Sequence, residues 1–256
     1  MNYQNLLIEV ENGIALVTLN RPKALNALNN ELLSDISSFL DEAEKKQDIR
    51  VVIFTGNGEK SFVAGADIKE FSDFNGEEGK RLAREGQEKV FNKVENFPKP
   101  IIAAINGFAL GGGLELAMSA HFRIASDNAK MGLPEVSLGL IPGYGGTQRL
   151  PKLIGKGRAA QMIFTAEMIS AQRAYEVGLV NEVVSPEELL ERAKAIAIKI
   201  SKNSLTAISK AIKAINSSDT SNGFNVEIES FGDLFEEADF KEGVTAFLEK
   251  RKPNFK

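Results

Sequence analysis

Two glutamates stand in apolar stretches of this sequence, where we expect a carboxyl group to do more than carry a solvated charge. Glu115 is flanked by leucines and followed by alanine and methionine, and Glu135 lies between Pro134 and Val136. Partly buried carboxyl groups are suited to proton transfer. The alternatives are an exposed place near a helix start for Glu115 and a loop surface for Glu135. Whether the two converge is left open by the sequence.

Three consecutive glycines, Gly111 to Gly113, precede Glu115 and open a predicted helix. The first amides of a helix lack intrahelical acceptors and carry the positive end of its dipole, and glycines let a ligand approach them. The turn could therefore stabilise a developing negative charge, or it could be only a tight strand-to-helix connection. It is not a P-loop, and the dinucleotide-like glycine pattern that begins at Gly155 follows a predicted helix rather than a strand.

Three further polar residues have simpler interpretations than catalysis. His121 is the single histidine and is interpreted as structural. Asp67 could be catalytic, but capping a short helix that begins at Ile68 is the simpler account. Lys23 could contact a phosphate or be a solvated loop lysine.

Composition excludes several classes of protein. The chain has 256 residues, enough for one or two domains, and 31 basic against 35 acidic residues give a net charge of −4. The absence of cysteine excludes disulfides, thiolate nucleophiles and cysteine-bound metals, and one histidine excludes the usual histidine metal sites. We expect no signal peptide, no membrane span and no metal, and hence a cytoplasmic protein.

The pattern of apolar residues predicts an α/β core followed by an all-helical region. Strands are predicted at residues 6–10, 14–19, 51–55, 101–105, 122–125 and 180–184. Helices are predicted at 30–46, with Asn29 as N-cap, at 77–96, at 187–202, at 205–216, from 226 onward and at 241–251. We therefore predict a core with the active site at residues 1–186 and a helical oligomerisation region at residues 187–256.

Several separate motifs, in order along nearly the whole chain, resemble the crotonase superfamily and, within it, the bacterial short-chain enoyl-CoA hydratases. They are residues 20–28 (NRPKALNAL), 62–68 (FVAGADI), 103–118 (AAINGFALGGGLELAM), 133–135 (LPE), 141–149 (IPGYGGTQR) and 246–255 (AFLEKRKPNF). The resemblance implies a spiral of ββα units followed by a helical trimerisation region, and acyl-CoA thioesters as substrates.

The resemblance also implies roles for individual residues. The backbone amides of Ala66 and Gly112 match the family's oxyanion hole, which agrees with the charge-stabilising glycine turn. Glu115 and Glu135 match the catalytic pair, with Glu115 assisting attack of water at C3 and Glu135 delivering the proton to C2. The positions that match the coenzyme A contacts are Lys23, Ala24, Leu25, Ala64, Asp67 and Ile68.

Having both glutamates favours hydration, so the implied activity is that of an enoyl-CoA hydratase, a lyase, in fatty-acid β-oxidation or related acyl-CoA metabolism. No cofactor is expected beyond the coenzyme A of the substrate. The alternatives are an enoyl-CoA isomerase of the same fold and, in a different class, an RNA-binding protein with a lysine-rich helix. The net charge of −4 argues against RNA as a partner.

Two expectations concern assembly and substrate size. The apolar faces of the C-terminal helices are expected to bury against neighbouring subunits in a trimer or a dimer of trimers. These faces comprise Leu189, Leu190, Ile196, Ile200, Ile208, Ile212 and Ile215. Tyr144 stands where many relatives have a small residue, so its ring is expected to line the acyl pocket and to favour short chains.

Overall fold

The computed structural model describes residues 3–255, so residues 1, 2 and 256 of the two predicted regions lie outside the described residues. All six predicted strands are present and form one six-stranded sheet, with the order β1-β2-β3-β5-β7-β10. The β1–β2 pair is antiparallel and the other neighbours are parallel. These strands are β1 (Leu6–Glu11), β2 (Ile14–Leu19), β3 (Val51–Gly56), β5 (Ile101–Ile105), β7 (Phe122–Ser126) and β10 (Glu182–Val184).

A second sheet of four short strands, in the order β4-β6-β8-β9, was not predicted. Its strands are β4 (Ser61–Ala64), β6 (Phe108–Leu110), β8 (Lys130–Gly132) and β9 (Ile169–Ser170). Along the chain, a strand of the first sheet is followed by a strand of the second sheet and then by a helical segment. This happens three times, with the pairs β3 and β4, β5 and β6, and β7 and β8. This repeat is the spiral of ββα units that the resemblance implies.

The central strands of the large sheet are buried on both faces, as parallel strands usually are. Side chains alternate along β2: Ala15, Val17 and Leu19 join one apolar cluster, and Ile14 and Leu16 join the other. The first cluster includes α1, whose N-cap Asn29 accepts a hydrogen bond from the Leu32 amide at 3.0 Å, as predicted.

Eleven α-helices lie within residues 3–255, and the last four make the C-terminal region helical. The helices are α1 (Asn30–Lys45), α2 (Gly76–Gly86), α3 (Asn92–Glu95), α4 (Gly112–Ser119), α5 (Gly146–Ile154), α6 (Lys156–Thr165), α7 (Ala171–Glu176), α8 (Leu189–Ile200), α9 (Leu205–Asn216), α10 (Gly223–Leu234) and α11 (Ala238–Leu248). A π-helical turn, Gln87–Phe91, joins α2 to α3 within the predicted helix 77–96. None of the helices in the described range has the length and apolar composition needed to cross a bilayer.

Helix α8 corrects one expectation about assembly. Leu189, Ala193 and Ala197 are buried against the second face of the large sheet, and Leu190, Ile196 and Ile200 pack partly against the same cluster. The apolar face of α8 is therefore used within its own chain, because that face of the sheet has to be covered. The expectation that Leu189 contacts a neighbouring subunit is wrong.

Candidate active site

The glycine turn places Glu115 inside the protein rather than on a helix surface. All eight residues of α4 are buried, and Glu115 is only 1% exposed. Gly111 has a φ of +49°, and a Cβ at Gly113 would stand 2.0 Å from the Val63 carbonyl oxygen of β4. Glycine is thus required for the turn and for close contact between helix and strand. The interpretation of Glu115 as an exposed helical residue is excluded.

Two backbone amides hold the carboxylate of Glu115. Its Oε1 accepts hydrogen bonds from the amide of Tyr144 at 2.8 Å and from the amide of Gly146 at 2.7 Å. Burial raises the pKa of Glu115 to about 7; the two amides act in the opposite direction and the charge of Glu135 adds to the rise. A carboxyl group with such a pKa is suited to exchange protons near neutral pH.

Glu135 approaches the same glycine turn. It begins a short 3-10 helix, Glu135–Leu138, and its Oε1 lies 2.8 Å from where a Cβ at position 111 would stand. Its Oε2 is buried and has no hydrogen-bond partner among the described residues. Burial raises the pKa of Glu135. The structure therefore brings together the two glutamates that the sequence left unconnected.

Ala66 and Gly112, the two predicted oxyanion-hole residues, lie on segments that meet at this turn. Gly112 is the first residue of α4, where amides have no partner within the helix. Ala66 pairs with Leu28 in a parallel bridge, in which the Gly65 carbonyl and the Asp67 amide bond to Leu28. The Ala66 amide consequently points away from Leu28, since alternate groups of a strand face opposite sides.

The ring of Tyr144 is almost enclosed beside this turn. Only 7% of the residue is exposed, and its ring stacks on Phe91 with centroids 4.6 Å apart. A Cβ at Gly86 would stand 2.3 Å from the ring, and one at Gly112 would stand 3.4 Å from it. Tyr144 therefore fills the space between the π-helical segment and the predicted oxyanion turn.

Two segments that carry the predicted coenzyme A contacts lie side by side. The Ala64 amide donates to the Leu25 carbonyl at 3.1 Å, and Arg21 pairs with Asp67 at 3.0 Å. Asp67 occupies the N-cap position of the 3-10 helix Ile68–Glu70, as expected, but its side chain makes no capping hydrogen bond and pairs with Arg21 instead. Lys23, Leu25 and Ile68 are exposed, while Ala24, Ala64 and Asp67 are half-buried.

His121 makes a structural contact. Its Nδ1 accepts a hydrogen bond from the Ile101 amide at 2.8 Å, at the start of β5. Burial lowers the pKa of His121 to about 4.

No group of three histidine, aspartate or glutamate side chains within residues 3–255 could hold a metal ion.

Sequence reasoning missed two arginines. Arg21 pairs with Asp67, and Arg149 is 6% exposed and donates to the Tyr144 carbonyl. Arg149 stands in the same motif as Tyr144, and the signal that could have revealed it is a charged side chain directly before the apolar Leu150 of an amphipathic helix.

Known proteins resemble the chain over nearly all of its length. Residues 9–256 match the family model described as enoyl-CoA hydratase/isomerase. A short-chain-enoyl-CoA hydratase of Clostridium acetobutylicum is 50% identical, with 98% of this chain and 97% of that protein covered. A crotonyl-CoA hydratase of Syntrophomonas wolfei is 48% identical, with 100% and 99% covered. The crystal structure of an enoyl-CoA hydratase from Bacillus anthracis superposes with a TM-score of 0.93 at 42% identity, with 99% of both chains covered.

Proposed function

The chain belongs to the enoyl-CoA hydratase/isomerase family, and we propose that Glu115 and Glu135 perform its reaction at the glycine turn. As an enoyl-CoA hydratase, a hydro-lyase acting on acyl-CoA thioesters, it adds water reversibly to a trans-2-enoyl-CoA to give a 3-hydroxyacyl-CoA. The observation that carries the proposed site is the convergence of the buried Glu115 and the half-buried Glu135 on one glycine turn at the start of α4. The reaction needs no cofactor beyond the coenzyme A of the substrate.

The proposed mechanism divides the proton transfers between the two glutamates. Glu115 takes a proton from water as the water oxygen bonds to C3. The electrons of the C2–C3 double bond move toward the thioester carbonyl, and the amides of Ala66 and Gly112 stabilise the enolate oxygen. Glu135 then delivers its proton to C2, and in the reverse reaction it removes that proton. A proton exchange between the glutamates or with water restores the starting state.

The hydrogen bonds around each carboxyl group support this division. Two amides donate to Oε1 of Glu115, and these bonds favour the ionised form that a base requires, offsetting part of the rise in pKa that burial causes. Oε2 of Glu135 is buried without a partner in the described residues, and such surroundings favour the protonated form that an acid requires.

A spectrophotometric assay tests the activity directly. Hydration of crotonyl-CoA removes its conjugated double bond, so absorbance of the conjugated thioester should fall when the protein is added. An isomerase would instead create this absorbance from a 3-enoyl-CoA and leave crotonyl-CoA unchanged. A salt-sensitive shift with RNA would favour the nucleic-acid alternative.

Coenzyme A is proposed to bind where residues 21–28 and 64–68 meet. The exposure of Lys23, Leu25 and Ile68, and the half-buried positions of Ala24, Ala64 and Asp67, support contacts made largely by the backbone. A charge-removing change such as Lys23→Gln should then weaken binding of an acyl-CoA only slightly. A change such as Ala64→Trp, which places a bulky ring where the two segments meet, should weaken binding strongly in isothermal titration.

We also propose a homo-oligomer, a trimer or a dimer of trimers, built by the helices after α8. Phe224 and Phe231 of α10 and Phe247 of α11 are 84%, 66% and 82% exposed, and a group of large exposed apolar side chains is typical of an interaction surface. Light scattering should give a mass three or six times that of one chain. A monomer at micromolar concentration would refute this proposal.

The proposed setting is the cytoplasm, in fatty-acid β-oxidation or a related acyl-CoA pathway. The substrate supports this setting, since acyl-CoA thioesters are intracellular metabolites. Fractionation of cells that produce the protein should recover hydratase activity in the cytoplasmic fraction.

A further inference from the structure

Arg149 is a buried cation that connects the loop carrying Tyr144 to α3. Its Nη1 donates to the Tyr144 carbonyl at 2.9 Å, and its Nη2 donates to Asn92 Oδ1 at 2.8 Å. Glu95 completes the set, because its Oε2 accepts from Nη2 at 2.6 Å and from Nε at 3.1 Å. A planar guanidinium with several donors in a fixed arrangement can make all of these bonds at once, which a lysine cannot.

The backbone of Tyr144 joins Arg149 to Glu115. The amide of Tyr144 donates to Glu115 Oε1, while the carbonyl of the same residue accepts from Arg149. Gly145, the next residue, has a φ of +102°, and a Cβ there would stand 2.2 Å from Nη1 of Arg149. Gly145 thus makes room for the guanidinium, and Gly146 then supplies the second amide to Glu115.

We infer that Arg149 is a positioning residue for hydration: by holding the Tyr144 carbonyl it keeps two backbone amides directed at the carboxylate of Glu115. The inference rests on the proposed function of Glu115 as the base. The side-chain hydrogen bonds of Arg149 go to the Tyr144 carbonyl, Asn92 and Glu95 rather than to Glu115 itself. Its effect reaches the reaction through the orientation and ionisation of Glu115.

The charges around Glu115 determine the direction of the expected pH effect. Burial raises the pKa of Glu115 and the charge of Glu135 adds to the rise, whereas Arg149 lowers it. Arg149 in turn pairs with the carboxylate of Glu95, and burial together with the charges of Glu115 and Glu70 raises the pKa of Tyr144. Loss of the guanidinium should therefore raise the pKa of Glu115, both through the lost charge and through less well directed amides.

The test compares wild type, Arg149→Met and Arg149→Lys in crotonyl-CoA hydration across a range of pH. Misplacement of a reacting group by about 1 Å can cost on the order of 100-fold, so we expect Arg149→Met to lower kcat by about 10- to 100-fold. KM should change by less than about threefold, because substrate binding uses other residues. The acid limb of the kcat profile should move to higher pH. Arg149→Lys keeps the positive charge but loses the planar set of donors. Its kcat and its acid limb should lie between those of wild type and Arg149→Met.

A matched control separates positioning from general stabilisation by an ion pair. Arg192→Met removes an arginine that pairs in a bidentate manner with Glu182, at 2.6 and 2.8 Å, between α8 and β10. It should leave kcat and the acid limb at wild-type values. A folded Arg149→Met variant with the kcat and acid limb of wild type would overturn the inference, as would equal losses in the Arg149 and Arg192 variants. If Arg149→Met does not fold, Arg149→Lys takes its place: wild-type kcat and acid limb in Arg149→Lys would then overturn the inference.

A measurement without turnover distinguishes failure of this inference from failure of the proposed function. Carbon-13 NMR titration of the Glu115 carboxyl, assigned with Glu115→Gln, should show a higher pKa in Arg149→Lys and Arg149→Met than in wild type. An unchanged Glu115 titration contradicts the inference even where wild type hydrates crotonyl-CoA. A shifted titration in a protein without hydratase activity would support the positioning and overturn the function.

Discussion

The carboxylate of Glu115 lies in direct contact with the backbone of Gly146. Oε1 of Glu115 lies 2.7 Å from the Gly146 amide and 3.0 Å from where a Cβ at position 146 would stand. That Cβ would also stand 2.8 Å from Pro142 and 3.1 Å from Leu133, so it could not be accommodated by movement of the glutamate alone. Position 146 therefore has to be glycine for the carboxylate of Glu115 to occupy its place.

Gly146→Ala should therefore displace Glu115 and lower kcat for crotonyl-CoA by about 10- to 100-fold. The matched control is Gly157→Ala in α6, where an added Cβ meets nothing within 4 Å. Alanine should be neutral or slightly stabilising there, with unchanged kcat. Wild-type kcat in Gly146→Ala would show that the position of Glu115 is unimportant.

Glu115→Gln should make the protein more stable at about pH 8, although it removes activity. Burial raises the pKa of Glu115 from 4.5 to about 7, so between these values the folded state keeps a proton that the unfolded chain releases. The contribution of Glu115 to stability consequently falls as pH rises through this window. The expected gain is about 1–3 kcal/mol at about pH 8 and little near pH 4.5. Urea unfolding at both pH values measures it, and a loss at both would contradict the burial argument.

Tyr144→Ala should shift the preference toward longer acyl chains. The ring fills the space between Phe91, Gly86 and Gly112, next to the predicted oxyanion turn. Its removal should raise the ratio of kcat/KM for a ten-carbon to that for a four-carbon enoyl-CoA by at least about tenfold. Tyr175→Ala is the control, since Tyr175 is half exposed on α7. An unchanged ratio for Tyr144→Ala would remove Tyr144 from the acyl pocket.

His121→Phe should cost stability and spare catalysis. The change leaves the buried Ile101 amide without its acceptor, at a cost of about 1–3 kcal/mol. Burial also lowers the pKa of His121 to about 4, so this residue's contribution to stability is lost as pH falls from 6.5 through that value. The difference in stability between wild type and variant should therefore narrow in acid. A large fall in kcat with unchanged stability would instead assign His121 to the reaction.

Sequence patterns were sufficient for one sheet and insufficient for the other. The six strands of the large sheet are runs rich in valine and isoleucine, and each was predicted. The strands of the small sheet contain two to four residues, such as Phe108–Leu110, which is too short for an alternating pattern to be recognised. The glycine turn and Glu135 lie beside this small sheet, so the geometry of the site depends on the part of the fold that periodicity does not reveal.

The identities of the site residues were more predictable than their contacts. An acid within the apolar run around Glu115 indicated burial, and the resemblance connected it with Glu135. The hydrogen bonds from the Tyr144 and Gly146 amides depend on backbone direction in a loop 29 and 31 residues away. The role of Asp67 was missed for the same reason, because its partner Arg21 is 46 residues distant.

The kcat of the two single glutamate variants and the double variant tests the central claim most directly. Glu115→Gln and Glu135→Gln keep the shape of each side chain but remove its ability to exchange a proton. One positioned carboxyl group contributes about 10²- to 10⁴-fold, so each single variant should lose at least about 100-fold in crotonyl-CoA hydration with little change in acyl-CoA affinity. The double variant should lose less than the product of the two single losses, because residues that act as a unit are not additive. Near wild-type hydration by either single variant would contradict the two-carboxylate mechanism.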